Sequence, residues 1–561
     1  MRQSLPEKKL AWCENLQPIG PNNIKTVPAP ATPLHTINGK TITKQFYFNF
    51  GQSTDYVIDI TSDGGGYATT NPGAVTTQFA PNGTFSPTPD MTQWGTSALL
   101  IADSVAGYCV WNGTVFVTKG GVDPLIIVTA GGSGYTSGAT AAISGGSGSG
   151  ATVTVTVVAG VVTAIVLTNP GSGYEAADTL TVTITAVGAG SGATATAFVW
   201  PFISPNPTTI AEFQGRVFLA QTNVITYTGT GGYDDFSSGD ASGTFTINDP
   251  DLVHSITALR SLNNYLFVVG DNSIKQIGNL TVASSITSFT LVTLSSDQGT
   301  IFQNAICSFN RLMLFGNTVG VYAVFGSSVE KISDDMDGVF QSLDFTQNLV
   351  AAVNDINNIH VFLLLAKYID PALGARSLIM AYMNKKWFVI SQGNSLKYIT
   401  TAIIDGTTNT FSTSGSDITK ILSNPNTPVN ITVKTALSPH GNPLQGKRAL
   451  RYAVTQLISQ SNTLKLTFES EIGNNAITYN TVSAVEWMNN SNQVIQWINN
   501  SSSAVNFYGS GFIYATGQCT VSGAYLGATL TGTVANFALN AIMLEYETSS
   551  LFPVGIPEVP A

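Results

Sequence analysis

Residues 301–338 hold one unit of an internal repeat. The segments FQGRVFLA at Arg216, LNNYLFVVG at Tyr265, SFNRLMLFG at Arg311 and INNIHVFLL at Ile359 follow one another at intervals of 49, 46 and 48 residues. Each has the same grammar: a two-residue Gln, Asn or Gly turn, four or five apolar residues, a second turn, then a shorter alternating run. That second run is Val224–Tyr227 in the first copy, Ser273–Ile277 in the second and Gly320–Phe325 in the third. Short apolar runs bounded by Asn and Gly read as strands, and pairs joined by two polar residues read as hairpins. A period in the high forties with several strands per unit fits the blade of a β-propeller, because a helical repeat of that period needs uninterrupted helical stretches. The expected fold is therefore all-β, with a propeller at its centre.

The chain has 561 residues, which suggests three or four domains. Its 43% hydrophobic and 10% charged residues, with 54 Gly, match an extended β protein and exclude a disordered one. A formal net charge of −10 argues against a surface that grips nucleic acid, which needs clustered Lys and Arg. It is compatible with a duct that nucleic acid slides through, since an acidic wall repels phosphate. The four cysteines, Cys13, Cys109, Cys307 and Cys519, are widely separated and read as buried thiols rather than as a disulfide or zinc framework. No apolar leader follows Met1, and the most apolar stretches, Ile359–Ala366 and Val153–Leu167, are too short or too alternating to span a bilayer as helices. The expectation is a soluble protein made in a reducing cytoplasm.

Taken in order, residues 1–40 form a proline-rich arm expected to run extended over other parts of the chain or over a neighbouring subunit. Residues 41–123 give a first part of the propeller: a strand pair over 41–60, a long loop from Asp63 to Asp90, and a hairpin with Asn112-Gly113 as a type I′ turn. Residues 124–200 carry a different repeat, GGSGYTSGAT at Tyr135 and PGSGYEAADT at Tyr174, 39 residues apart, and form an inserted β module of two similar halves. Its alternating ATVTVTVVAGVVTAIVLT reads as a strand pair turned at Ala159-Gly160. The insert is expected to be removable without loss of the propeller. Residues 201–426 hold the main blades, including a degenerate unit over 396–422, for about six in all. Pairing of a strand from before the insert with one from the end would close the ring. Beyond Pro425 and Pro428, residues 427–561 show strands in steps of roughly 20 residues, expected to form a β-sandwich-like domain with a proline-rich tail.

Candidate chemistry is sparse. His35, His254, His360 and His440 share no local motif, and His360 sits inside an apolar strand as a satisfied rim histidine would. The string from Gly146 to Ala151 imitates a dinucleotide fingerprint but leads into a strand, so it reads as a turn. Ser295–Phe302 loosely resembles the Asp-box of sialidase propellers, departing from it at Ile301 and Phe302. The carboxylates Asp234, Asp235, Asp334, Asp335 and Asp337 lie in turn-like contexts, where Asp usually caps, although the last three could hold Ca²⁺ weakly. Lys447, Arg448 and Arg451 form the one concentrated basic patch, expected to meet acidic surface or a neighbouring subunit. No catalytic, cofactor-binding or metal-binding residue is assigned.

The segments ALLIADSVAGYCVWNGTVF, QGRVFLAQ with YDDF, SITALRSLNNYLFVVGDNSIKQIG, the stretch from Ser295 to Phe340, GNPLQGKRALRYAV and FALNAIMLEYE together resemble the tail nozzle or tail-hub proteins of short-tailed bacteriophages. The resemblance covers most of residues 41–550, and the insert departs from compact members of that family. It implies a structural virion protein, not an enzyme: a homo-oligomeric ring, typically a hexamer, below the portal and adaptor at the head–tail connection. It further implies contacts with tail fibre or spike proteins, and viral DNA retained and then conducted at ejection. Two other readings stay open on the sequence. One is a propeller adhesin for host glycans, with Trp94, Trp111 or Trp387 exposed on a rim; the other is a polysaccharide-degrading enzyme.

Overall fold

The computed structural model describes residues 10–549 apart from 21–22, 52–53, 238–240, 251, 253, 394, 458–461, 482–486, 489–490, 492–493, 496, 499–503 and 506–512. Seven antiparallel four-stranded units follow one another around an axis, at 42–80, 90–117, 209–246, 256–295, 306–331, 350–390 and, with 35–36 as its fourth strand, 398–421. Their first strands, Ile42–Phe48, Asp90–Trp94, Thr209–Glu212, Ile256–Leu262, Ile306–Phe309, Val350–Ile356 and Tyr398–Ile404, stand innermost. The second strand of each blade lies between two neighbouring blades, so both of its faces are covered. That is why Ala98–Asp103 is buried at every residue and reads as a continuous apolar run rather than an alternating one.

Apolar layers join each blade to the next. Phe48 meets Trp111 between the first two blades, Phe218 and Leu266 share a core between the third and fourth, and Phe267 and Phe315 do so between the fourth and fifth. The ring closes where Tyr47 of the first blade stacks on Phe411 of the seventh, with ring centroids 5.7 Å apart. The blades number one more than the sequence suggested, because 63–90 is not one long loop. It contains the strands Gly66–Asn71 and Thr76–Ala80, built mainly of Gly, Thr and Ala, with Tyr67 buried towards the seventh blade and Ala68 and Ala80 towards the second.

The repeat also shifts by one residue in its third copy. The turns at Asn263-Asn264, Asn310-Arg311 and Asn357-Asn358 each place two consecutive residues at positive φ, between 48° and 64°, as a type I′ turn requires. Arg311 therefore belongs to its turn, and Leu312 is the partner of Tyr265. At Asn112-Gly113 only Gly113 is left-handed; the Asn112 carboxamide instead accepts the backbone N–H groups of Thr114 and Val115, an Asx turn.

The arm at 10–36 stitches the chain together. Leu10–Glu14 inserts between Lys386–Ile390 of the sixth blade and Val429–Thr435 of the last domain, fusing both into a single nine-stranded sheet. Leu16–Pro18 and Ile24–Thr26 join a second sheet beside Ala538–Thr548, and His35–Thr36 completes the seventh blade against Asp417–Ile421. Residues 427–549 supply the rest of two facing sheets, packed through Leu464, Phe468, Leu530, Tyr452 and Phe537. Half of QVIQWINN, and the tail at 551–561, lie outside the described residues; Val494–Ile495 and Trp497–Ile498 are short strands.

The insert is an exchange of strands between its halves. Ile127–Ser133 pairs with Ser191–Thr196 of the other half, Val161–Ser172 pairs with Ser149–Val158, and Thr140–Ser144 pairs with Thr181–Thr185. Tyr135 lies against Gly190 and Tyr174 against Gly148; a Cβ at either glycine would fall 2.8 or 2.4 Å from the ring. Both tyrosines are buried, so the repeated GSGY is a packing device. The module's sheets span 127–196. Trp200, fully buried, stacks on Tyr108 of the second blade and donates its indole N–H to the Tyr108 carbonyl at 2.7 Å, so it belongs to the propeller junction. Removal of 124–200 takes that indole away and is expected to abolish soluble expression. Joining Ile126 to Ala197 through two glycines is expected to leave a single cooperative thermal transition by circular dichroism.

Candidate functional site

The seven inner strands surround a cavity of about 590 Å³ on the propeller axis. Three charged side chains from three blades meet at its wall. The Asp90 carboxylate accepts from Thr209 Oγ1 at 2.6 Å, the Ile210 N–H at 3.2 Å and Arg260 Nη1 at 2.9 Å, and lies 3.6 Å from Lys44 Nζ. Arg260 also donates to the carbonyls of Leu259 and Gln303. Gln303 in turn reaches back to the Thr208 carbonyl, and Tyr398 donates to Asn304 at 3.0 Å. These bonds tie the first, second, third, fourth and seventh blades and the turn entering the fifth around one carboxylate.

Burial alone would push Asp90 up, but Arg260 and Lys44 beside it outweigh that effect and hold its carboxyl below the usual range. Lys44 is in the opposite position. Burial pushes its ammonium down to about 8, only partly offset by Asp90, and its Nζ makes no hydrogen bond within the protein. A second buried charge lies in the first blade. Asp59 is fully buried with Gln45 Nε2 at 2.8 Å from one oxygen and no partner for the other, and burial raises it to about 7.

The residues singled out by sequence are scattered. His360 is hydrogen-bonded to Asp355 at 2.7 Å and stacked on Phe309, the satisfied rim position expected of it. His254 pairs with Asp271, and His440 lies against Tyr546. Asp334–Met336 is a short 3-10 turn leading into a single helical turn, Asp337–Phe340, and Lys331 pairs with Asp337 at 2.6 Å and Asp334 at 3.7 Å. Asp234 faces Asp123 at the junction with the insert, where burial raises both carboxyls, reinforced at Asp123 by the charge of Asp234 and at Asp234 by that of Asp235. Ser295–Phe302 is a turn, with Ser295 bonded to Asp297 and Phe302 buried. In the Gly146–Ala151 string, Ser147 donates to Asp178. Lys447 is buried and donates to three carbonyls, whereas Arg448 and Arg451 approach Glu547 and Glu545 on the same sheet. None of Trp94, Trp111 and Trp387 stands free on a rim: Trp111 is buried, and the others are half-buried against Tyr233 and Tyr382.

Among the described residues, no three His, Cys, Asp or Glu side chains are grouped to hold a metal ion, and no helix is long and apolar enough to cross a membrane. Cys13, Cys109 and Cys519 are buried and Cys307 is partly so, with the thiols raised by burial.

No family model and no curated protein matches the chain. Among solved structures it is similar to the WD40 β-propeller domain of Doa1, at 8% identity and a TM-score of 0.36, over 71% of this chain and 96% of that one. It is also similar to Chaetomium thermophilum Raptor, at 9% identity and a TM-score of 0.38, over 70% of this chain and 29% of that one. The propeller assignment rests on the sheet order and closure described above.

The two buried charges give stability a definite pH dependence. Lys44 binds its proton less readily folded than unfolded, so its cost is complete below pH 8 and fades towards pH 10.5. Asp59 binds its proton more readily folded, so its cost grows from about pH 4 and is complete above pH 7. In urea denaturation, Lys44→Met is expected to stabilise the protein by about 2–3 kcal/mol at pH 7 and less at pH 9.5. Asp59→Asn is expected to stabilise by about 3 kcal/mol at pH 8 and by almost nothing at pH 4.

Proposed function

We propose that the chain is a structural subunit of the tail nozzle or hub of a short-tailed bacteriophage. Copies assemble side by side into a ring, of six subunits as the family resemblance implies, below the portal and adaptor. The ring retains packaged DNA, conducts it at ejection and offers its periphery to fibre or spike proteins.

The insert is the observation that carries this reading. Between residues 125 and 200 its only charged side chains are Glu175 and Asp178, yet it exposes Ile127, Val158, Val161, Val166, Val187 and Phe198. Surfaces that face only water are normally dense in Lys, Arg, Asp and Glu. Exposed valines on an uncharged sheet suit contact with another protein surface. The axis of the propeller supports the same reading from another side. A cavity of about 590 Å³ is far too small to pass a duplex, so a duct wide enough for DNA would lie between subunits, walled by a protein of net charge −10. The adhesin reading loses the exposed rim tryptophans it needs, and nothing favours the polysaccharide-degrading one.

Light scattering of the purified chain is expected to give a single ring-sized species, and cryo-electron microscopy to show that ring coaxial with the tail. Replacing Val158 and Val166 with Lys is expected to shift the species towards monomer without altering the circular dichroism spectrum. A wild-type chain that stays monomeric at working concentration, with no ring in virions, would overturn the proposal.

A further inference from the structure

We infer that the axial cavity is a binding site for a small oxyanion, a carboxylate or phosphate group, received by the Lys44 ammonium. The inference is independent of the nozzle reading.

The charges at the cavity wall are not paired one to one: Lys44 and Arg260 both approach Asp90, while the wall's other carboxylate, Glu212, accepts the Gly215 N–H instead. Arg260 donates to both Asp90 oxygens and to two carbonyls; Asp90 Oδ2 accepts from Thr209, Ile210 and Arg260, and Oδ1 faces Lys44 at 3.6 Å, beyond hydrogen-bonding distance. Lys44 alone is left over. Its side chain is 4% exposed and lines the cavity, and among the described residues its three N–H donors meet no acceptor within hydrogen-bonding distance. A buried ammonium in that state is unfavourable unless an acceptor comes from outside the chain.

The other acids nearby are committed. Glu212 stands three residues along its strand from Thr209, roughly 10 Å by strand rise, and accepts the Gly215 N–H at 2.9 Å. Asp103, behind the second blade's inner strand, accepts from Ser86, Val105 and Ala106. The remaining wall near Lys44 is neutral and polar, with Gln93, Ser261, Asn304 and Thr400 available to the ligand's other oxygens. A volume of about 590 Å³ lies within the range of small-molecule sites and far exceeds the roughly 30 Å³ share of one water.

Isothermal titration calorimetry on the full chain at constant low chloride tests the site, using inorganic phosphate in one arm and acetate in the other. The expected result is saturable binding of one anion per chain in at least one arm, weakened tenfold or more by Lys44→Met and retained by Lys44→Arg. Lys40→Met, at an exposed pair with Asp63 outside the cavity, is expected to bind as wild type does. Tighter binding in the phosphate arm identifies a phosphate site, and tighter binding in the acetate arm a carboxylate site. Mass-spectrometric footprinting of wild-type Lys44 with an amine-reactive reagent gives a readout that needs no variant; the bound anion is expected to slow labelling at Lys44 and not at Lys40. Absence of saturable binding, or equal affinity in Lys44→Met, or unprotected labelling, would overturn the inference.

Discussion

A β-sheet ends in unpaired N–H and C=O groups, and a propeller joined to a second β domain has several such ends to seal. In this chain the N-terminal arm seals two of them. Leu10–Glu14 is hydrogen-bonded on both sides, parallel to the sixth blade and antiparallel to the last domain, so neither keeps a free edge there. Glu14 at the end of that strand takes a bidentate bond from Arg376, which also reaches Asp370, and both partners are largely buried. Such a pair fixes geometry more than it adds stability, because desolvation offsets much of its attraction. Twenty residues later the same arm supplies the outer strand of the seventh blade, where Thr36 bonds Asp417 at 2.7 Å. Propeller and sandwich are thereby laced into one body by a segment whose composition reads as a loose extension.

The axis follows from the same architecture. Seven inner strands point alternate residues at a shared centre, where too little space remains for large apolar side chains from every blade. Polar side chains fill it, and each must find partners across blades. Thr209, Arg260, Gln303 and Tyr398 do so without leaving an unmet group, whereas Lys44 does not. The register of the first blade's inner strand shifts between Ile42 and Lys44, and beyond it Lys44 and Gln45 are both buried on alternate faces, Gln45 against Asp59. A fold selected for stability alone would place Met or Gln there; a charge kept at such a cost is what binding sites commonly show.

The propeller was legible because its turns are chemically demanding. Two consecutive positive φ values at Asn263-Asn264 and Asn357-Asn358 favour Asn or Gly, and that requirement surfaces in sequence as a period. Where Arg311 takes the second turn position, the pattern slips by a residue, since nothing in an Arg announces a left-handed backbone. The strands at 66–80 were read as loop because covered sheet surface can be built from Ala, Gly and Thr when a neighbour supplies the bulk. The axial cluster had no local signature at all. Lys44, Asp90, Arg260 and Gln303 are tens to hundreds of residues apart, and each alone is an ordinary strand or turn residue. Only closure of the ring brings them together.

The insert shows how a segment with few large side chains can still be ordered. Exchange of strands between the halves makes each GSGY turn pack against the glycine that precedes the other half's third strand, so neither half can form without its partner. Its bulk comes from outside: Tyr108, Trp200 and Leu219 share a continuous core with Val162, Ile165 and Leu167 of the module. Because that anchoring face carries the packing, the opposite faces of the strands contribute little to holding the module together. Thr152, Thr154, Thr156, Thr181, Thr183 and Thr185 lie exposed on it and can change without disturbing the core, whereas Val153, Val155 and Val182 between them pack against it. A surface free of structural duty and free of charge is one that a neighbouring molecule can shape, and the function proposed above accordingly puts contact with other proteins on the module's outer sheet rather than on the propeller that supports it.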